Sequence, residues 1–330
     1  MSYLNAPHLH NEQAAYAFVE ARVWPQGRVC PHCGVIGESS AMKGESTRIG
    51  TYKCYACRKP FTVKIGTILE KSHVPMHLWL QAIFLIASSK KGISANQLHR
   101  TLGVTLKTAW FMSHRIREAM AAKGGGMMGG PGSVVEVDET YYGKREEAPK
   151  AKKDGKPFKN DRQGVRLTRR YAQGHGHLRP VVALVERGGN SRVFHVDQAD
   201  RETVAKIVKD NVHPESRLHT DESRIYKGAD QAFAAHETVN HSKKEYARGD
   251  VTTNTVEGYF SVFKRGMKGT YQHCKEKHLH RYLAEFDFRY NQRTALGVGD
   301  AQRSEELLRG VVGKRLTYQT TRGKAAAAGA

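Results

Sequence analysis

Two segments of the sequence, D-E-S-R-I-Y (221–226) and N-T-V-E-G-Y-F-S-V-F-K-R (254–265), indicate how the second half of the chain folds. In the second segment, apolar side chains recur at the three- and four-residue intervals of a helix face that packs on a core. These side chains are Val256, Tyr259, Phe260 and Phe263. An adjacent face is polar and carries Asn254, Glu257, Ser261 and Lys264. Because Lys264 follows Glu257 by two helical turns, this helix displays an acid and a base together.

Two further acids accompany Glu257. Asp221 precedes it with 35 residues between them, and Asp138 lies in the earlier segment V-V-E-V-D-E-T-Y-Y (134–142). Three separated carboxylates can hold divalent ions such as Mg²⁺, and a metal pair stabilises the attacking and leaving oxygens of a phosphoryl transfer. A structural alternative stays open, because Asn254 and Glu257 also have the spacing of a helix N-cap and its N3 partner.

The segment 134–142 is predicted to form a strand. Its period-two alternation places Glu136 and Asp138 on the face opposite two valines, so alternation alone does not decide which of these acids is functional. The structural alternative for Glu136 and for the neighbouring Glu139 is that both are solvated surface acids.

The second half of the chain alternates predicted strands and helices in the order β-β-β-α-β-α-β-α. The strand over 217–220 ends at Asp221. A three-stranded antiparallel ribbon joined to parallel strands would bring Asp138 and Asp221 onto neighbouring strand ends. The flanking His219 and Glu222 are expected to support Asp221.

Two C-x-x-C pairs lie near the N-terminus with 20 residues between them. This spacing predicts a tetrahedral zinc site built from two knuckles. The predicted ligands are Cys30, Cys33, Cys54 and Cys57. Because four thiolates complete the coordination shell, the zinc is predicted to be structural, and a redox role is the alternative.

The next stretch predicts a helix-turn-helix. Ser94 and Thr105 are suitable N-caps for two helices, and Gly103 supplies the turn between them. The second helix carries basic side chains expected to face a DNA groove or phosphates. They are Lys107, His114, Arg115 and Arg117. An ordinary helical hairpin is the alternative.

The charge of the chain predicts a polyanionic partner, most often nucleic acid. There are 53 Lys and Arg against 32 Asp and Glu, which gives a net charge of +21. The longest apolar run, 82–87, is too short to span a bilayer, and no secretory signal opens the chain. We therefore expect a cytoplasmic protein without a membrane partner.

Longer strings in the sequence resemble a known family. Asp138, Asp221, Glu257 and Lys264 resemble the catalytic signature of DDE transposases and retroviral integrases. The strings H-S-K-K-E-Y-A-R-G-D-V-T-T-N-T-V-E-G-Y-F-S-V-F-K-R-G (241–266) and H-L-H-R-Y-L-A-E-F-D-F-R-Y-N-Q-R (278–293) resemble bacterial zinc-ribbon transposases more specifically. These transposases form the insertion-sequence family numbered 1595. The resemblance extends from the first Cys pair to about Arg293.

The resemblance implies an α+β multidomain fold with a zinc ribbon, a helix-turn-helix and an RNase H-like catalytic domain, which is a mixed sheet with helices. The expected boundaries are 1–66 for the ribbon with a helical lead-in, 67–123 for the helix-turn-helix, 124–133 for a Gly-rich linker, 134–296 for the catalytic domain with a basic insertion at 143–175, and 297–330 for a C-terminal tail.

The resemblance also implies an activity. Two Mg²⁺ or Mn²⁺ ions, held by Asp138, Asp221 and Glu257, would activate water to nick a DNA strand, and the released 3′-OH would attack target DNA. Lys264 would bind phosphate near the scissile bond. The family's E-V-D-E-T-Y motif selects Asp138 over Glu136. Some members carry Asn as the third signature residue, so Asn254 remains an alternative to Glu257.

The implied partners are double-stranded DNA, as transposon ends and as target, and further copies of the chain in a homo-oligomer. The implied location is the bacterial nucleoid. A metal-dependent nuclease that cleaves without joining and a non-catalytic DNA-binding regulator are the rival interpretations.

Overall fold

The computed structural model describes residues 3–122, 124–146, 178–229 and 232–317. The helices are α1 (Glu12–Val23), α2 (Met76–Ser88), α3 (Ala95–Leu102), α4 (Leu106–Met120), α5 (Arg201–Asn211), α6 (Asn254–Gly266), α7 (Leu279–Asn291) and α8 (Asp300–Arg309). The strands are β1 (Ser39–Ala41), β2 (Tyr52–Cys54), β3 (Pro60–Phe61), β4 (Val134–Lys144), β5 (Leu178–Glu186), β6 (Ser191–His195), β7 (Arg217–Asp221), β8 (Ala235–Val239), β9 (Ala247–Arg248) and β10 (Val251–Thr252).

The chain divides into two compact units. The ribbon unit contains Met1–Ala121 together with Gly297–Ala330, and the sheet unit contains Ala122–Leu296. The region expected to be a C-terminal tail therefore contributes a helix to the ribbon unit. Its helix α8 packs against α2 and α1 because it buries the apolar side chains of Leu307 and Leu308.

In the ribbon unit, α3 and α4 form a helical pair with the predicted caps. The Ser94 side chain accepts the Gln97 N–H (3.1 Å), and the Thr105 side chain accepts the Thr108 N–H (3.2 Å). Gly103 ends α3 with φ +67, a left-handed conformation that glycine adopts without steric cost. The sequence predicts these caps and this turn because each depends on residues only a few positions apart.

The sheet unit is built on a mixed five-stranded sheet, as predicted. Its strand order is β6-β5-β4-β7-β8. The first three strands pair antiparallel, whereas β4–β7 and β7–β8 pair parallel. Helix α5 covers one face, and α6 with α7 covers the other.

Alternation along β4 and β5 divides their side chains between these two layers. Val135 and Val137 of β4 join the core under α5. Val181, Ala183 and Val185 of β5 join the core under α6 and α7. The β4 face opposite the valines therefore looks toward the α6 layer.

The expected Gly-rich linker, 124–133, belongs to the sheet unit. Met128 is buried, its N–H donates to the carbonyl of Asn211 (2.7 Å), and its carbonyl accepts the His213 N–H (2.8 Å). Most of the expected basic insertion at 143–175 and the end of the chain after residue 317 lie outside the described residues. Within the described ranges, no helix is both long and apolar enough to cross a bilayer.

Candidate active site

The sheet places Asp138 and Asp221 side by side. Strand β4 pairs parallel with β7 in a register that aligns Glu136 with His219. Two residues further along both strands are Asp138 and Asp221, so the continued register brings the two carboxylates to adjacent positions. Neighbouring strands lie about 4.8 Å apart. The pairing of β4 with β7 therefore accounts for the predicted proximity of Asp138 and Asp221.

Local hydrogen bonds orient both carboxylates. Asp138 Oδ1 accepts the Glu139 N–H at 2.8 Å, and Asp221 Oδ1 accepts the Ser223 N–H at 2.9 Å, in the turn after β7. The adjacent Glu139 accepts the hydroxyl of buried Tyr226 at 2.7 Å.

Helix α6 supplies the third carboxylate. The Glu257 side chain is 48% exposed, and its Oε1 accepts the Thr253 hydroxyl at 3.0 Å. The Nε2 of His241 lies 3.5 Å from the same oxygen. Glu257 is thus held at the start of the helix while it stays open to solvent.

These acids repel one another. Burial raises the pKa of Asp138 to about 7, and the charges of Glu139, Asp221 and Glu257 add to this rise. Burial also raises the pKa of Asp221, although the Ser223 N–H opposes the shift. Asp138 and Asp221 therefore offer carboxylate oxygens whose ionisation a nearby cation would favour, which fits a hard divalent ion such as Mg²⁺.

A cleft of about 630 Å³ contains two of the three acids and a row of bases. Asp138 and Glu139 come from β4 and Glu257 from α6. The bases follow α6 and its continuation, and they are Lys264, Arg265 and Lys268. The structure thus brings Lys264 into one cleft with Asp138 and Glu257, in a setting suited to a phosphate group beside a carboxylate cluster.

The structure corrects the expectation for Glu136. It was expected to be a solvated acid, but it is 0% exposed and accepts four hydrogen bonds. The donors are the Thr255 N–H (2.7 Å), the Thr255 hydroxyl (2.9 Å), the Val256 N–H (3.0 Å) and Arg187 Nε (2.6 Å). Its oxygens are therefore engaged within the protein, which favours Asp138 as the metal-facing acid of β4.

Asn254 also differs from its expected role as a cap. It is the exposed first residue of α6, and the N-cap position is held by Thr253. Its side chain is not needed there, because Glu136 satisfies the second and third N–H groups of the helix from β4. The capping alternative based on Asn254 and Glu257 spacing is thus not what the structure shows.

The sequence predicted that Glu222 supports Asp221, but it did not single out His241. Glu222, next to Asp221, accepts the His241 N–H (2.9 Å) and both the N–H (3.0 Å) and hydroxyl of Ser242. These bonds, the Ser242 hydroxyl first, lower the pKa of Glu222 to about 2. They tie the end of β7 to the segment that carries His241 beside Glu257. The only sequence signal was that His241 opens one of the strings that carry the resemblance.

The expected DNA-binding residues of α4 separate into two groups. Lys107, in its first turn, is exposed. His114, Arg115 and Arg117 are only 1%, 7% and 2% exposed, which contradicts the expectation that they face DNA. Arg115 donates to the carbonyls of Ile68, Glu70 and Leu316, so its cation holds loops of the ribbon unit.

The four predicted zinc ligands form one cluster. Their Sγ atoms all lie within 4.8 Å of one another. The Cys30–Cys57 and Cys33–Cys54 sulfur pairs are 3.6 and 3.7 Å apart, too far for disulfides, whose S–S bond is about 2.05 Å. Among the described residues, this is the one group in which at least three such ligand atoms converge this closely.

The protonation of these thiols also fits a cation. Burial raises the pKa of Cys30, but hydrogen bonds from the N–H groups of His32 and Cys33 and from neighbouring thiols outweigh it and lower the pKa to about 6. The N–H of Val35 lowers the pKa of Cys33, but burial and hydrogen bonds with the three neighbouring thiols outweigh it and raise the pKa to about 12. A bound zinc ion removes this conflict by stabilising all four thiolates.

Two family models match the parts of the chain that contain these residues. The ISXO2-like transposase domain matches residues 128–291, and the transposase zinc-ribbon domain matches residues 10–60. Together these ranges span more than half of the chain. The sequence is 27% identical over 268 residues to an uncharacterized protein in transposable element ISH50 of Halobacterium salinarum. That alignment covers 81% of this chain and 86% of the relative.

Proposed function

Since this chain belongs to the family of transposases with a zinc ribbon and an ISXO2-like domain, we propose that it is a DDE-type transposase. It binds the terminal inverted repeats of its insertion sequence and catalyses metal-dependent cleavage and transfer of DNA strands. Asp138, Asp221 and Glu257 are its acidic triad, and Lys264 binds phosphate near the reacting bond.

One observation carries the proposal. Asp138 of β4 and Glu257 of a packed helix line one cleft that also contains Lys264, and Asp221 of the adjacent parallel strand lies near enough for its charge to raise the pKa of Asp138. The sheet order, three antiparallel strands followed by two parallel ones, supports the assignment of the sheet unit as RNase H-like. A non-catalytic regulator would have no need of mutually repelling carboxylates at a basic cleft.

The residues of the site are proposed to have distinct roles. Asp138, Asp221 and Glu257 would hold two Mg²⁺ or Mn²⁺ ions, which when bound supply Lewis-acid stabilisation of the reacting phosphate oxygens. Asp138 must lose its proton for this role, since its pKa is raised to about 7. Lys264, Arg265 and Lys268 place positive charge where a DNA backbone would approach.

The ribbon unit is proposed to recognise DNA ends. The capped pair α3–α4 has the element order of a helix-turn-helix, and Lys107 is exposed in the first turn of the second helix. N-terminal residues of such a helix are the ones that reach base edges and phosphates. The structural zinc ion holds the ribbon, and the net charge of +21 favours association with DNA.

The proposal is tested with the full-length protein and duplexes that carry the DNA flanking its own reading frame. We expect Mg²⁺- or Mn²⁺-dependent nicking at the inverted repeats, followed by joining to a second duplex, and no reaction in EDTA. Nicking without joining would support the nuclease, and binding without nicking would support the regulator. Light scattering of the protein with end DNA tests the oligomer, which is proposed because two ends must be held together.

A further inference from the structure

We propose that Glu136 is a positioning residue that fixes Glu257 relative to Asp138 by capping helix α6 from strand β4. This inference rests on the proposed function of the acidic triad. Glu136 does not itself contact DNA or metal, because its carboxylate is buried and occupied by protein donors.

The start of α6 lacks a cap of its own. The first N–H groups of a helix have no partner within the helix and are usually satisfied by a side chain just before it. The N-cap residue Thr253 makes no such bond, and its hydroxyl donates to Glu257 instead. Glu136, 119 residues before Thr255 in sequence, supplies the missing acceptors.

A carboxylate suits this task better than a neutral group. Both Thr255 and Val256 N–H groups donate to Oε2, while Oε1 accepts the Thr255 hydroxyl. A negative charge is favoured where the partial positive charge of the helix N-terminus is concentrated. A glutamine has one acceptor oxygen, so its NH₂ group would face either the two N–H groups or the Thr255 hydroxyl and Arg187, and an aspartate would be one methylene shorter.

Arg187 completes the arrangement from the end of β5. Its Nε donates to Glu136 Oε1 at 2.6 Å, which pairs the buried charge. Its other nitrogens donate to the carbonyl of Asp250 (2.6 Å) and to the carbonyl (3.0 Å) and hydroxyl (2.8 Å) of Thr252. The segment that leads into α6 is thus held to the same carboxylate as the helix itself.

The consequence for the active site follows from the chain positions. Asp138 is two residues after Glu136 on β4, and the two share a side of the strand. Glu257 is the residue after Val256, whose N–H is bonded to Glu136. One buried carboxylate therefore links the backbone that carries Asp138 to the turn that carries Glu257, and it sets the separation of the two metal-facing acids.

The test compares Glu136→Gln with Glu186→Gln, the same charge change at a partly exposed residue of the neighbouring strand β5. Amide hydrogen exchange of the peptide covering 253–258 should be at least about 10-fold faster in Glu136→Gln and unchanged in Glu186→Gln. Mn²⁺ affinity of the DNA-free protein, measured by electron paramagnetic resonance, and the rate of end cleavage should each fall by about 10- to 100-fold, the usual effect of removing a ligand's supporting partner.

Unchanged exchange, or faster exchange with wild-type Mn²⁺ affinity, would overturn the positioning role. If the wild-type protein does not cleave DNA, the proposed function fails, but the exchange and Mn²⁺ measurements still decide the role of Glu136.

A second pair of variants protects the test against misfolding of Glu136→Gln. Thr255→Val removes the hydroxyl donor while it keeps the shape and the backbone N–H, and Thr255→Ser restores the donor. We expect a smaller loss of Mn²⁺ affinity in Thr255→Val, about 2- to 5-fold, and recovery in Thr255→Ser. Equal Mn²⁺ affinity in both variants would contradict the proposal.

Discussion

Glu257 and Asn254 share the first turn of α6, and their substitutions should separate charge from helix capping. Replacement of Glu257 by Gln keeps the side-chain shape but removes a metal-facing charge, so strand cleavage should fall roughly 100- to 1000-fold. Because Glu257 is largely exposed, the free energy of unfolding should change by less than about 1 kcal/mol. Cleavage assays, thermal melts and end-binding assays check these outcomes.

Asn254→Asp is the matched control for Glu257→Gln. It adds an acid at the exposed first position of α6, where the helix dipole favours negative charge, so folding and activity should persist. An active Glu257→Gln protein together with a folded, inactive Asn254→Asp protein would instead move the third acidic position to Asn254.

The titration of Asp138 should make the metal-free protein less stable at higher pH. Its folded pKa of about 7 lies above its ordinary value of 3.8, so between these values the unfolded chain loses a proton that the folded chain keeps. Stability therefore falls as pH rises through this window and levels off above it. Asp138→Asn should stabilise the metal-free protein by roughly 0.5–2 kcal/mol at pH 8 and by little near pH 4.

Denaturant melts of the wild type and Asp138→Asn at both pH values, in EDTA, measure this difference. A gap between the two proteins that does not widen with pH would contradict the shifted titration. In the wild type, Mn²⁺ should bind more weakly below about pH 7 and should displace a proton there.

At this scale the sequence predicted the acids but not their surroundings. The alternation in β4 correctly put Glu136 and Asp138 on one face. It did not reveal that α6 buries Glu136 completely while Asp138 lines the cleft, because that depends on a contact 119 residues away. Glu136 was therefore interpreted as a solvated acid.

Among the elements, helix α4 should show that its basic residues have different tasks. Arg115→Ala leaves three carbonyls without their donor and should cost the ribbon unit about 2–4 kcal/mol. Lys107→Ala should leave stability unchanged, weaken DNA binding on all sequences and reduce the salt dependence by about one counterion. Thermal melts and binding titrations at several salt concentrations distinguish the two. A stable Arg115→Ala protein with selectively weakened DNA binding would restore Arg115 to the DNA interface.

The zinc ribbon should contain about one zinc ion per chain, and its fold should depend on that ion. Among the residues that the structure describes, its hydrophobic cluster has three fully buried members, Cys30, Cys54 and Phe61, so the metal replaces much of a conventional core. Metal analysis of the full-length protein and hydrogen exchange after chelation provide the measurement. We expect faster exchange over residues 28–61 and unchanged exchange in α6 and α7. A metal-free ribbon that remains protected would be incompatible with this role.

The elements themselves were predictable where the controlling interactions are local. The caps at Ser94 and Thr105 and the spacing of the four cysteines fall into this class. The burial of the basic side chains of α4 was not predictable. By sequence they resemble a DNA-binding face, and their burial depends on the distant segments near Ile68 and Leu316 that contact Arg115.

For the whole molecule, a chain that ends at Leu296 should destabilise the ribbon unit and spare the sheet unit. The truncation removes α8, which buries Leu307 and Leu308 and whose Arg303 donates to the Ala87 carbonyl. The two leucines alone should contribute roughly 3–6 kcal/mol. Calorimetry should show an earlier melt of the ribbon unit and an unchanged melt of the sheet unit. Equal melting of the ribbon unit in both chains would contradict this dependence.

Because the ribbon unit depends on α8, a fragment made to study its DNA binding should include this helix. The boundaries expected from the sequence, which end the helix-turn-helix at residue 123, would lead to a fragment that stops there. It lacks α8, which no periodicity near the N-terminus could have indicated, because the pairing of α8 with α2 joins opposite ends of the chain. The mixed sheet was foreseeable, since its five strands all come from one continuous stretch of the chain, 134–239.

Because the ribbon unit combines two distant parts of the chain, its folding on the ribosome must wait until the second part has been synthesised. Residues 1–121 emerge first, but α8 is synthesised only after the 175 residues of the sheet unit. At bacterial translation speeds of about 5–20 residues per second, this interval lasts roughly 9–35 s. A nascent chain can thus fold its sheet unit while the ribbon unit, which we propose recognises DNA, still lacks a helix, and stable recognition of DNA should begin only once α8 has left the exit tunnel.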